Sequence, residues 1–124
     1  MHFQIGLVPI TKKNSQQIVK AGTRLLVIPS KQYKQYEKDC AAFIPQIPFS
    51  AIDTPVNVKC LYYMPTRRRV DLTNLLQSTL DVLVKYGVLA DDNSNIVVSM
   101  DGSRVLLDRD NPRTEIDIES LNEK

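Results

Sequence analysis

Residues 67–96 read RRRVDLTNLLQSTLDVLVKYGVLADDNSNI, and this stretch decides both the fold and the chemistry. Three arginines run into Asp71, an amphipathic segment follows, and an acidic pair, Asp91 and Asp92, comes just after it. At 100° per residue, Asp71, Asn74, Gln77, Ser78, Asp81 and Lys85 share one polar stripe of a helix. Leu72, Leu75, Leu76, Thr79, Val82, Leu83 and Tyr86 fall mostly on the opposite half, so the helix is expected to lie on a sheet. Gly87 suits the residue just past its end, where a positive φ closes the last turn.

Working outward, VNVKCLYYMP (56–65) alternates as a strand that delivers the chain to the arginines. Upstream, KQYKQYEKDCAAFI (31–44) predicts a first helix, with Ser30 as N-cap, a stop before Pro45, and Tyr33, Tyr36, Cys40 and Phe43 on its buried face. FQIGLVPI (3–10) reads as a strand that ends near Pro9, and QIVKAGTRLLVIPS (17–30) as a hairpin turning at Gly22. Downstream, NIVVSMDGSRVLLD (95–108) reads as a second hairpin, around Asp101-Gly102. NPRTEIDIES (111–120) alternates Thr114, Ile116 and Ile118 against Glu115, Asp117 and Glu119, a strand with one wet face. The expected class is α/β (α+β), a mixed sheet with two main helices packed on it.

The chain has 124 residues, 43% hydrophobic and 24% charged, so residues 1–124 are expected to form one small domain. No apolar run approaches a membrane span, and no signal peptide is recognisable, so a cytoplasmic protein is expected. Cys40 and Cys60 have no ligand partners in sequence and read as reduced structural residues. The one histidine, His2, leaves no base for a Ser-His-Asp or Cys-His mechanism, and chemistry must fall to carboxylates, lysines or a metal. Net charge is only +2, yet residues 1–40 hold seven Lys/Arg against two acids, and Arg67, Arg68 and Arg69 concentrate charge at one spot. A polyanion partner fits that local surface.

Asp71 and Asp81 project from one side of the helix but lie about 15 Å apart along its axis, too far to share one ion directly. Asp71, fed by a strand, and Asp92, at the beginning of the next hairpin, could instead converge at the end of the sheet. Oxygen-only donors of this kind suit Mg²⁺ or Mn²⁺, which keep waters and take phosphate oxygens as remaining ligands. The alternative is a solvated helix face with a loop of ordinary turn residues, in which Asp71 only favours the helix N-terminus.

The same residues resemble the RusA family of Holliday junction resolvases. The family pattern is a basic run, Asp-x-x-Asn opening a helix, a later helix aspartate, and an Asp-Asp pair before a strand. Here the matches are Arg67 to Arg69, Asp71, Asn74, Asp81, Asp91 and Asp92; PITKKNS (9–15) and DNPRTEIDI (110–118) resemble the family's opening loop and closing strand. The resemblance implies a RusA-like homodimeric endodeoxyribonuclease of phage or prophage type that cuts branched DNA, the four-way junction above all, using Mg²⁺ or Mn²⁺. It implies Asp71 and Asp92 as metal ligands with Asp91 supporting, Asp81 catalytic or structural, and Lys12, Lys13, Asn14, Arg67, Arg68 and Arg69 on DNA phosphates. Asn74 would orient a ligand carboxylate. Two positions depart from the pattern: Thr73 stands where a second metal-binding aspartate is common, and Gln77 where an active-site lysine is common. Those departures raise the rival reading of a branched-DNA-binding protein with a weakened metal site, and a plain interaction protein with a wet acidic stripe is a further one.

Overall fold

The computed structural model describes residues 1–11, 16–22, 24–29, 31–47 and 50–121, with backbone alone for the strands between 16 and 29. In chain order the elements are β1 (His2–Ile5), β2 (Gln16–Ala21), β3 (Arg24–Pro29), α1 (Lys31–Cys40), β4 (Val56–Met64), α2 (Leu72–Lys85), β5 (Val97–Ser99), β6 (Arg104–Leu107) and β7 (Arg113–Ser120). β2 and β3 form the expected hairpin, with Gly22 at φ 65°. The main sheet runs β1, β7, β4, with β5 and β6 on the far edge of β4. β7 is antiparallel to both neighbours, whereas β5 and β6 are parallel to β4, so the sheet is mixed and the α+β expectation holds.

Alternation does what it should in the two central strands. Val56, Val58, Cys60 and Tyr62 of β4, with Thr114, Ile116 and Ile118 of β7, are buried on one face. The intervening polar residues stay half-exposed or exposed on the other. Both helices pack on the buried face. From α2 come Leu75, Thr79, Val82 and Leu83; from α1 come Tyr33, Tyr36 and Cys40. The hydroxyls of Tyr62 and Thr79 share a buried hydrogen bond of 2.7 Å, which ties α2 to the sheet's centre. Lys85 Nζ meets Glu37 Oε1 at 2.6 Å, and the Tyr86 hydroxyl donates to the Glu37 carbonyl at 2.8 Å, joining the two helices. Cys40 and Cys60 are free and buried, which pushes their thiols up to about 11 and about 12.

Four expectations need correction. The segment around Asp101-Gly102 is not a hairpin: β5 and β6 both run parallel to β4 and follow one another along its edge. Asn57 holds the intervening turn, its Oδ1 accepting from Asp101 N–H and from the Ser99 hydroxyl, and its Nδ2 donating to the Asp101 carbonyl. Ser78 is buried rather than on the wet stripe, because α1 covers that flank and brings Tyr33 beside it. Phe43 is 37% exposed: the α-helix ends at Cys40, a short 3₁₀ turn covers Ala41–Phe43, and the ring lies over Gly6 instead of the core. β1 stops at Ile5 rather than running to Pro9, Ile5 being its last residue paired with β7. Ser30 lies outside the described residues.

The β6–β7 connection is closed by charge. Arg113 Nη1 donates to Asp108 Oδ2 at 2.9 Å, its Nη2 pairs with Glu115, and its guanidinium stacks on Tyr63 at 3.8 Å. Arg113, then the backbone N–H groups of Asn111 and Asp110, hold the Asp108 carboxyl below its ordinary value. A depressed folded pKa gives stability that is full above the ordinary aspartate range and is lost as pH falls through the depressed value. The amides of Asp110 and Asn111 should therefore lose hydrogen-exchange protection only on acidification into that range, and Asp108→Asn should remove the dependence.

Candidate active site

The helix that carries the site is closed at both ends by its own sequence. Asp71 is the N-cap, with φ −86° and ψ 122°, and its carbonyl accepts from Asn74 and Leu75 N–H. Its carboxylate makes no capping bond; among the described residues it accepts only from Asn74 Nδ2, at 3.3 Å. An exposed carboxylate at the positive end of the helix, not used by the backbone, is free for a ligand. At the other end Gly87 has φ 77°, Val88 N–H reaches the Leu83 carbonyl at 2.9 Å and Gly87 N–H reaches Val84 at 3.2 Å. These are the paired bonds of a Schellman stop, and buried Val88 turns the chain back along the helix. Ile52 then brackets the returning strand: its N–H donates to Val88 and its carbonyl accepts from Ala90.

That return sets the two adjacent aspartates to different tasks. Both Asp91 oxygens serve the loop, Oδ1 accepting from Asp92 N–H at 2.7 Å and Oδ2 from Asn93 Nδ2 at 3.0 Å. Those bonds, the Asp92 N–H first, lower the Asp91 pKa. Asp92 faces α2 instead, where its Oδ2 accepts from Gln77 Nε2 at 3.3 Å. The same Gln77 nitrogen donates to Asp81 Oδ1 at 2.9 Å. Asp81 and Asp92 are thus brought to one atom. Asp71 stands six residues before Gln77, about 9 Å along the axis, and its carboxylate accepts from Asn74 rather than from Gln77. Thr73 is exposed in the first turn.

Arg67, Arg68 and Arg69 are exposed in the segment between β4 and α2, and no carboxylate among the described residues pairs with them. Arg68 and Arg69 border a cleft of about 450 Å³ whose opposite wall is Val8–Thr11 and Gln32. Sequence reasoning missed Gln32 and Thr11 as parts of this cleft. An exposed glutamine in a helix's first turn reads as solvated, and nothing local signals that β4's exit lies beside it. Lys12, Lys13 and Asn14 lie outside the described residues.

Against known protein families, the description that matches is "Endodeoxyribonuclease RusA", over residues 7–119. The chain belongs to the RusA family. The matched span takes in the arginines, α2, the Asp91-Asp92 loop and the strands of the main sheet other than β1, and RusA proteins are endodeoxyribonucleases, hydrolases of phosphodiester bonds. No curated protein matches the chain. RusA nucleases are in general dependent on a divalent metal, and the donor set here can be tested for fit. Among the described residues no three Asp, Glu, His or Cys side chains converge on one point, but two carboxylates do. A small divalent cation is ordinarily held by one or two carboxylates, waters and substrate phosphate, so the two carboxylates here suit such an ion. No helix among the described residues is long and apolar enough to cross a membrane.

Proposed function

We propose that residues 1–124 form one RusA-like domain that acts as a homodimer in the cytoplasm, resolving four-way DNA junctions in recombination and repair by paired, symmetric phosphodiester hydrolysis. The observation that carries this reading is the convergence of Asp92 and Asp81 on Gln77, on a helix led by arginines 67–69, which pair with no carboxylate among the described residues, and by Asp71, whose carboxylate makes no backbone capping bond. Asp92 and Asp81, held side by side at Gln77, are the carboxylates proposed to face Mg²⁺ or Mn²⁺, and Asp71 at the head of α2 is proposed to complete the site. Asp91 holds the loop so that Asp92 points at α2. The ion, when bound, polarises the scissile phosphate and lowers the pKa of water. Asn74 fixes one oxygen of Asp71 and leaves the other open. The arginines, with Lys12, Lys13 and Asn14, hold backbone phosphates, an interaction that fixes position without reading sequence. Two symmetric cuts need two related sites, and a twofold dimer matches a twofold junction.

A second reading is a branched-DNA-binding protein with a weakened metal site. It is favoured by the count of carboxylates at one point, two rather than three, with Thr73 adding none. One experiment separates the two: a labelled synthetic junction and a matched linear duplex incubated with Mg²⁺, Mn²⁺ or chelator. Symmetric nicks in the junction alone, dependent on metal, are expected. Junction binding with no cut under either ion would establish the second reading, and equal cutting of duplex would remove junction selectivity.

A further inference from the structure

We infer that Gln77 is a positioning residue that holds Asp81 and Asp92 side by side without neutralising either, so that the pair's full negative charge is left for a divalent cation. The inference rests on the metal-dependent reading above and concerns what sets the cation's affinity. Carboxylates only accept, so the end of the Gln77 side chain that faces two of them must be its NH₂, and its two hydrogens serve one partner each. The bond to Asp81 alone would be an ordinary surface pair four residues apart on a helix. The bond to Asp92 is different, because it comes from a separate segment fixed by the Gly87 stop and by Ile52. Two like charges facing one atom repel, and the Gln77 amide is the group that bridges them among the described residues. No lysine or arginine among the described residues pairs with Asp81 or Asp92. A lysine at 77 could span the same gap, but its ammonium would cancel one of the two charges and repel an entering cation. The neutrality of Gln77 is therefore the property that matters, more than its shape.

The test is calorimetric titration of the full chain with Mg²⁺ and Mn²⁺, comparing wild type, Gln77→Lys and Gln77→Met, with a thermal melt of each in chelator. Gln77→Lys is expected to weaken metal binding about tenfold or more while melting no lower than wild type, since the ammonium pairs with both aspartates. Gln77→Met keeps neutrality and loses only the tether, and should weaken binding about threefold. Equal metal affinity in wild type and Gln77→Lys would overturn the inference, as would a loss in Gln77→Met as large as in Gln77→Lys. If wild type neither takes up the ion nor cuts junctions, the metal reading itself falls and takes the role of Gln77 with it. A wild type that binds and cuts beside an unaffected Gln77→Lys removes the role of Gln77 alone.

Discussion

Asp92→Asn is expected to slow junction cleavage by about 10²- to 10³-fold, the order seen when one group stabilising the reacting charge is lost, while junction binding stays equal or tightens. The asymmetry follows from what the Asp92 side chain does. Its backbone N–H anchors the loop to Asp91, whereas its carboxylate accepts from Gln77 on α2, so the substitution leaves the backbone tie of the loop in place. An asparagine oxygen still accepts from Gln77, and what disappears is one negative charge facing the cation and the DNA. Single-turnover cutting in Mg²⁺, with binding measured in chelator, checks both halves. Wild-type cutting rates in the variant would sink the assignment of Asp92. A fall in binding equal to the fall in cutting would make Asp92 a structural residue instead.

The second large effect belongs to the arginines. Replacing Arg67, Arg68 and Arg69 together with alanine should weaken junction binding about a hundredfold near physiological salt. It should also reduce the slope of log affinity against log salt by roughly two to three, close to one for each phosphate that the variant leaves unneutralised. All three are exposed and form no ion pair among the described residues, so the melting temperature should not move. Fluorescence anisotropy over a salt series reads the slope. An unchanged slope would mean that these side chains face solvent and that another surface carries the DNA.

How much of the fold and the site is legible in the sequence depends on whether the deciding interaction is local. α2 is legible, because Asp71, the apolar spacing and Gly87 each act within a turn or two of themselves. The wet and dry faces of β7 are legible for the same reason. The turn at Asp101-Gly102 misleads because its chemistry suits a hairpin, while the pairing that decides it is with β4, some forty residues upstream. Ser78 is misplaced by a helical wheel, which has no knowledge of a second helix lying against its flank. At the site, the sequence names the acids and the departures Thr73 and Gln77. The division of tasks within the Asp91-Asp92 pair comes from the family resemblance and not from local chemistry, since it depends on where Ile52 sends the chain, and no local signal shows Asp81 and Asp92 meeting at Gln77.

The position of β7 has a consequence for how this enzyme comes into being. β7 follows every other strand in the chain but sits between β1 and β4. Until Arg113–Ser120 has left the ribosome, β1 has no neighbour in the main sheet and β4 carries one open edge, the kind of template on which nascent chains misassociate. β1 can therefore join β4 in one sheet only once β7 is available, through contacts that for β1 span most of the sequence. A polypeptide interrupted before Arg113 would carry Arg67 to Arg69, α2 and the candidate site residues Asp71, Asp81, Asp91 and Asp92, and still lack the strand that joins β1 to β4.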